Sequence, residues 1–286
     1  MFAGSAKTSG GLHNWYMRFT SRGKGTLDGA LLDLLVGLTS WRIWWTLAWN
    51  DIRQKYRGSV LGPFWLTISM GAFIAMTGVV YATIFKVDVA VLLPYIAVGM
   101  ITWTLLTGLI TEGCNAFVSS EGYLRQVRLP LSVFVCRVVV RNVIALAHNA
   151  LIFVAVVLWF GVPVTVSGIV LGLLGLAAIV AIGYFWALLL ACLCVRFRDI
   201  PQIVATIMTG AFFVTPVLWK PNFLGDGHPA LAYNPFYYLV EVVRKPLFEG
   251  TVNGHLWVVV LGFLVISAVL GLGMFRIARP RITYWI

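Results

Sequence analysis

The sequence predicts an all-α integral membrane protein, on the basis of its composition, its long apolar stretches and the placement of its charges. Of the 286 residues, 60% are hydrophobic and 11% are charged, and the mean hydropathy is +0.91. So few polar residues cannot cover the surface of a water-soluble domain. A helix needs about 20 apolar residues to cross about 30 Å of hydrocarbon. Six stretches of this chain meet that requirement, which predicts six transmembrane helices.

The part of the chain before the spans is predicted to have two regions. Residues 1–26 are rich in Gly, Ser and basic side chains, which predicts a flexible cytoplasmic tail, and they contain no signal-peptide pattern. Residues 27–58 are predicted to form an amphipathic interface helix, or alternatively a helix packed on a soluble partner. Asp33, Arg42 and Asp51 lie away from its apolar face. The apolar face consists of Leu31, Leu34, Leu35, Leu38, Trp41, Trp45 and Trp49.

The membrane domain is predicted at residues 59–277, followed by a short cytoplasmic tail at 278–286. Gly168, Gly172 and Gly175 recur along the fourth span, which predicts close helix packing there. The six predicted spans are residues 60–85, 92–118, 131–160, 167–195, 200–219 and 256–275.

The positive charges predict the orientation of these spans. If both termini are cytoplasmic, fifteen Lys and Arg residues lie inside and only four lie outside, as the positive-inside rule requires. The net charge of +11 follows the ends of the spans and forms no patch on a folded domain, so nucleic-acid binding is not predicted. The four outside residues are Lys86, Lys220, Arg244 and Lys245.

A re-entrant or interfacial hairpin is predicted between the last two spans. Residues 220–255 are too polar to cross the membrane as a whole and contain four prolines. Within them, residues 236–248 are apolar, but thirteen residues are too few to span. This segment is therefore predicted to enter the bilayer from the outside and return.

The sequence contains no motif for catalysis or for nucleotide binding. The string at residues 23–26 lacks the upstream glycine of a phosphate-binding loop, and there is neither a paired-His helix nor a G-x-S-x-G elbow. We therefore predict no catalytic residue, no metal site and no cofactor on this chain. The four cysteines fall in apolar stretches without metal-ligand spacing, which predicts small buried side chains. They are Cys114, Cys136, Cys192 and Cys194.

Three charged residues lie within the predicted spans. Glu112 is near the inner end of the second span, and Arg137 and Arg141 are one turn apart near the inner start of the third. An unpaired ion in hydrocarbon costs at least about 2.5 kcal/mol. Glu112 is therefore predicted to pair with Arg137 or Arg141, with His148 and Asn149 further along the same helix. The cluster either ties the two spans together or steers an anionic substrate.

Aromatic residues are frequent in and around the spans. Sugar rings present C–H faces that stack on aromatic side chains, so such residues are candidates for a glycan pathway. The alternative is that they form interfacial belts and ordinary core. The candidates are Trp65, Phe73, Tyr81, Trp103, Phe212, Phe213 and Trp219.

Four loop segments add a more specific indication. They comprise residues 51–65, residues 121–130, residues 196–200 with 215–219, and residues 234–238 with Arg244. In this order and at these topological places they resemble the permease subunits of type-two ABC exporters for O-antigen, capsule and teichoic acid. The chain departs from many relatives at residues 129–131, where Leu-Pro-Leu replaces Phe-Pro-Arg, so the positive charge falls at Arg125 and Arg128.

The resemblance implies a homodimer in the bacterial inner membrane, assembled with two copies of a separate ATPase that binds ATP and Mg. The substrate would be a lipid-linked polysaccharide within surrounding membrane lipid. The family's ATPase-coupling helix corresponds to Glu121, Tyr123, Leu124, Arg125, Gln126 and Arg128. Its re-entrant gate corresponds to Asn234, Pro235, Phe236, Tyr237 and Arg244.

Three alternatives remain open at this point. A type-two exporter of drugs, haem or small lipids shares the superfamily, although such relatives often carry a large outside domain or a fused ATPase. An ion-coupled secondary transporter predicts inverted repeats and carboxylates near the middle of the membrane. A membrane-embedded glycosyltransferase needs a catalytic carboxylate or metal constellation facing water.

Overall fold

The computed structural model describes residues 27–223 and 228–286, so the predicted flexible tail at residues 1–26 lies outside the described residues. The described chain is helical and contains no strand. Its α-helices are α1 (Leu27–Thr39), α2 (Trp41–Lys55), α3 (Phe64–Phe85), α4 (Val89–Cys114), α5 (Glu121–Gln126), α6 (Ser132–Phe160), α7 (Val166–Arg196), α8 (Ile200–Val214), α9 (Pro229–Ala232), α10 (Pro235–Glu249), α11 (Gly254–Ala278) and α12 (Ile282–Trp285).

Five of these helices are long and apolar enough to cross a membrane: α3, α4, α6, α7 and α11. The predicted fifth span, residues 200–219, is shorter in the structure, because α8 has 15 residues and ends at Val214. The physical reason is Pro216, which lacks an N–H group and disfavours helical backbone in the residue before it. Thr215 is accordingly extended, with φ −85° and ψ 134°.

The centre of the bundle is formed by α4 and α7. Helix α4 packs against α3, α6 and α7, while α7 also packs against α10 and α11. Small residues permit the close approach of α10 to α7. A Cβ added at Gly168 would lie 2.4 Å from the carbonyl oxygen of Pro246, and one at Gly175 would lie 2.8 Å from that of Val242. The close packing predicted for these glycines is confirmed.

The predicted interface helix is two helices, α1 and α2, separated at Ser40. Six of its seven predicted apolar-face residues point away from the bundle and are exposed, and only Leu34 is buried. Asp33 is 1% exposed on the opposite face, where its carboxylate accepts hydrogen bonds from Ser132 and Arg279. The segment therefore packs on the bundle through small and apolar residues together with Asp33, and it presents Leu and Trp outward.

The end of the bundle that holds α2, α5 and α12, here called the basic end, also carries the start of α6 and the end of α7. Residues 278–286 pack against it, with Ile282 fully buried. The carbonyl oxygen of Ile286 accepts a hydrogen bond from Arg125 (3.0 Å), and Arg196 lies over the ring of Trp285 (5.6 Å). All four cysteines are buried and free, as predicted.

Candidate functional site

Two acidic and two basic side chains meet where α2, α4 and α6 approach one another near the basic end. Arg141 donates to Glu112 (Nη2 to Oε2, 2.7 Å) and to Asp51 (Nη1 to Oδ2, 2.9 Å). Arg137, one turn earlier on α6, donates to both carboxylate oxygens of Asp51. The predicted ion pair between Glu112 and Arg141 is present. The charges balance, which lowers the cost of placing them near the membrane.

Arg137 connects this cluster to the predicted ATPase-coupling segment. Its guanidinium lies 5.6 Å from the centre of the Tyr123 ring, and its Nη1 donates to Ser120 Oγ (3.2 Å). The same guanidinium holds Asp51 on α2. One side chain therefore contacts α5 and α2 at once, so a displacement of α5 has a direct route to α2.

The coupling segment itself is a short exposed helix. Five of the six predicted contact residues belong to α5, whereas Arg128 lies beyond it, because the helix ends at Gln126. Arg125 pairs with Glu121 on the surface (2.7 Å). Tyr123 is 44% exposed, while Leu124 is half-buried against the core of the bundle. Tyr123 is therefore accessible to a partner, and Leu124 mainly holds the helix in place.

The predicted re-entrant gate belongs to α10, which packs on the bundle from its middle, where Phe236 contacts Trp103 of α4, to the end opposite the basic end, where Gly250 lies beside Thr165. Asn234 caps α10 by accepting from the Phe236 N–H (3.0 Å) and donates to Thr215 Oγ1 (3.0 Å). Pro235 occupies the first turn of α10, where its missing N–H group costs nothing. The gate is thus joined directly to the extended chain that follows α8. Tyr237 is half-buried, and its ring contacts the ring of Tyr238.

Arg244 is the most deeply buried cation in the described chain, with 1% exposure. Its guanidinium donates to the carbonyl oxygens of Pro216 (2.8 Å) and Val217 (3.3 Å) and to Glu241 (2.8 Å). It also lies 3.7 Å from the centre of the Tyr95 ring. Non-helical backbone at membrane depth requires hydrogen-bond partners from the protein. Arg244 supplies them to the chain that Pro216 forces out of the helix.

The predicted aromatic pathway does not form one continuous surface within the chain. The ring centre of Trp103 lies 5.6 Å from those of both Phe212 and Phe236, in tilted and edge-on contacts, so these residues join α4, α8 and α10. Tyr81 packs on Phe85. Phe213 is exposed and contacts the cluster through the Phe212 ring, at 5.4 Å between ring centres. Among the remaining candidates, Trp65 and Phe73 are exposed and Trp219 is half-buried.

Two acids that the structure places in these ion pairs, Asp51 and Glu241, are not among the predicted site residues. Asp51 was assigned to the polar face of the interface helix, and its spacing in the sequence gives no sign that Arg137 and Arg141 face it. Glu241 precedes Arg244 by three residues, which is ion-pair spacing on a helix and could have indicated the pair. The described residues contain no group of three or more His, Cys, Asp or Glu side chains that could hold a metal ion.

Comparison with known proteins identifies the class of this chain. A model of the ABC-2 type transporter family matches residues 42–248, which run from α2 to α10 and include the charge cluster, the coupling segment and Arg244. This match covers more than half of the chain. The chain therefore belongs to the ABC-2 type transporter family, and it is a membrane-spanning permease subunit.

The O-antigen export system permease protein RfbA of Myxococcus xanthus is a more particular relative. It is 26% identical to this chain over 211 residues, which cover 71% of this chain and 79% of the relative. The resemblance found in the loop segments is thus confirmed at the level of a type-two ABC permease.

Proposed function

We propose that this permease exports a lipid-linked surface polysaccharide of the O-antigen class across the bacterial inner membrane. The observation that carries the proposal is the similarity, over most of both chains, to a relative named as an O-antigen export permease. The aromatic cluster of Trp103, Phe212 and Phe236 is compatible with such a substrate, because sugar rings stack on aromatic faces.

In this proposal the basic end faces the cytoplasm and both termini lie there. The distribution of fifteen basic residues against four supports that orientation. The fifth of the six spans is completed by α8 and the non-helical residues 215–219, and α9 with α10 forms a re-entrant segment that enters from the outer side. The exposed Leu and Trp face of α1 and α2 rests in the membrane interface, where Trp is favoured.

The working transporter is a homodimer of this chain with two copies of a separate ATPase that binds ATP and Mg. Family members act together with an ATPase, and α5 offers that partner an exposed aromatic side chain, Tyr123. Apolar side chains on α3 and α8 are exposed and available to the second copy or to lipid. ATP binding would push α5, and Arg137 would pass that movement to Asp51 on α2.

The test is deletion of the gene in its own organism, followed by complementation with the wild-type chain. We expect surface polysaccharide to disappear and its lipid-linked form to accumulate inside, since the polymer can be made but cannot cross. The purified permease should also bring down an ATPase subunit. Unchanged surface polysaccharide together with altered export of a small lipid or drug would contradict the proposal.

A further inference from the structure

A cavity with several polar wall residues lies within the chain, next to the charge cluster, and Trp103 of the aromatic cluster forms part of its wall. Its volume is about 380 Å³, and it is enclosed by the end of α2, the start of α3, the middle of α4 and the middle of α6. This volume falls within the range of small-molecule sites, about 300–1,000 Å³. Its uncharged polar wall residues are Tyr56, Thr104, Thr107, Thr111, Asn142 and Asn149, and its charged or titratable ones are Lys55, Glu112, Arg141 and His148.

Unpaired polar atoms are concentrated in this cavity. Of the five buried side-chain N and O atoms without a hydrogen-bond partner in the described residues, three belong to its walls: Tyr56 Oη, Thr107 Oγ1 and Asn149 Oδ1. Asn149 is 3% exposed. Folded proteins leave few buried polar atoms unpaired, and each such atom calls for an explanation. Three in one cavity indicate a polar occupant that pairs with them.

The chemistry of the walls favours a neutral, hydroxyl-rich ligand over an ion. Arg141 is already held by Asp51 and Glu112, and Glu112 also accepts from Asn142 (2.9 Å). His148 Nδ1 lies 2.8 Å from the carbonyl oxygen of Ile144. The Lys55 side chain is exposed, and its ammonium lies 5.9 Å from the centre of the Tyr56 ring, so it is the one charge in the lining without an ion pair among the described residues. The unpaired groups are two hydroxyls, which both donate and accept, and one amide oxygen. The indole of Trp103 supplies an apolar wall. Hydroxyls beside an aromatic ring match the polar edge and apolar face of a sugar.

We propose that this cavity is a carbohydrate subsite for one neutral sugar unit. The assignment rests on the proposed function only for the source of that sugar, which would be an end of the exported polymer. Arg141 forms part of the wall and shares Asp51 with Arg137, which contacts Tyr123 of the coupling segment. The side chains of Arg141, Asp51 and Arg137 therefore link the cavity to Tyr123, on the surface where the ATPase would bind.

The first test measures protection of a cysteine placed in the wall. Ala145 lines the cavity without contributing a polar group, so Ala145→Cys in a variant lacking the native cysteines leaves the proposed contacts intact. Ala147, two residues away, lines a separate apolar pocket and provides the matched control. The purified full chain in nanodiscs is labelled with methyl methanethiosulfonate in the presence of methyl glycosides of mannose, glucose, galactose or rhamnose, N-acetylglucosamine, inorganic pyrophosphate or glycerol.

We expect at least one sugar to slow labelling at position 145 by about threefold or more at a concentration above twice its Kd. Labelling at position 147 should not change. Absence of protection by every sugar contradicts the proposal, as does stronger protection by pyrophosphate, which would indicate an anion site. A cysteine at position 145 that never reacts also contradicts it, because a ligand could not then enter.

The second test removes the unpaired atoms one at a time. Tyr56→Phe and Thr107→Val each delete one polar atom, Asn149→Leu deletes the unpaired amide oxygen together with the amide nitrogen, and all three keep a similar shape. A structural role predicts a lower melting temperature for each variant. A binding role predicts an unchanged or higher melting temperature, because the unpaired atom is a cost to the empty protein, together with loss of the sugar protection at position 145. Thr209→Val, which removes an exposed hydroxyl bonded to its own helix, is the control.

These measurements use the purified permease and require neither polymer export nor an ATPase. If no sugar protects position 145, but surface polysaccharide disappears on deletion and returns on complementation, the subsite is contradicted and the proposed function stands. If a sugar protects position 145 of the purified permease, but deletion of the gene leaves surface polysaccharide unchanged, the subsite is supported and the proposed function is contradicted.

Discussion

Charged side chains in this permease are arranged so that each buried ion has a partner of opposite sign. Asp33 pairs with Arg279, Asp51 with Arg137, Glu112 with Arg141, and Arg244 with Glu241. A buried pair contributes little net stability compared with an apolar pair of the same shape, but removal of one partner is expensive. The consequence at the residue scale is that each pair can be tested by removing a single charge.

Asp51 is expected to be the most sensitive member of the charge cluster, because it accepts from two arginines. Asp51→Asn leaves Arg137, with 12% of its side chain exposed, without a carboxylate. We expect destabilisation by about 2 kcal/mol, below the loss for a fully buried pair because the site is partly wet. Glu112→Gln should cost less, since Arg141 keeps Asp51. Thermal unfolding in nanodiscs measures both, with the exposed Asp199→Asn as control, and an Asp51→Asn variant as stable as wild type would contradict the expectation.

Arg244 is expected to tolerate no replacement, including lysine. Its planar guanidinium reaches two carbonyl oxygens and Glu241 while stacking on Tyr95, and a lysine ammonium cannot reproduce that fork. Arg244→Gln leaves Glu241 buried without a partner of opposite charge and should cost about 3–5 kcal/mol. The double change with Glu241→Gln should recover part of this loss in thermal unfolding. Lys245→Gln is the control, and equal effects at positions 244 and 245 would contradict this role.

At the scale of elements, the long spans were predictable from the sequence and the breaks in them were predictable only in part. Length and hydropathy fix α3, α4, α6, α7 and α11 because each must cross the same thickness of hydrocarbon. The early end of α8 depends on Pro216 and on Arg244, which lies 28 residues further along the chain. The separation of α1 from α2 and the inward face of Asp33 depend on contacts with α6 and α11. No local pattern records such contacts.

The coupling helix α5 supports a prediction that separates binding from packing. Tyr123→Ala removes an exposed aromatic side chain, so we expect affinity for the ATPase to fall about tenfold or more, which corresponds to about 1.4 kcal/mol. The melting temperature of the isolated permease should change little. Leu124→Ala should instead lower that temperature, because Leu124 is half-buried in the bundle.

Arg128→Ala serves as the matched control for this comparison, since Arg128 is exposed and lies beyond the end of α5. Its effect on ATPase affinity should be smaller than that of Tyr123→Ala. If Tyr123→Ala leaves both complex formation and stimulated ATPase turnover unchanged, the contact lies elsewhere, and the exposed end of α2 around Lys55 becomes the next candidate.

At the scale of the whole molecule, the contacts at each end of the bundle indicate how many times the chain crosses the membrane. A Cβ at Gly250 would lie 2.9 Å from Thr165 Oγ1, which places the end of α10 beside the start of α7. Helix α7 has 31 residues and so extends about 46 Å from there to the basic end. The chain between Arg198, just after α7, and Thr251 therefore passes from one end of the bundle to the other.

This arrangement predicts opposite labelling of two exposed positions. In a variant lacking the native cysteines, Thr251→Cys should react with a membrane-impermeant thiol reagent in intact cells, and Arg198→Cys should react only after permeabilisation. Thr251 is preferable to Asn253, whose side chain caps α11 by accepting from the Leu256 N–H. If α8 entered the membrane and returned without crossing, both positions would label alike, and α11 would then place residues 278–286 on the outside. Equal labelling at the two positions would therefore mean that the chain crosses the membrane five times. Residues 278–286 would then lie on the side opposite the proposed ATPase, which would contradict the proposed orientation of α5.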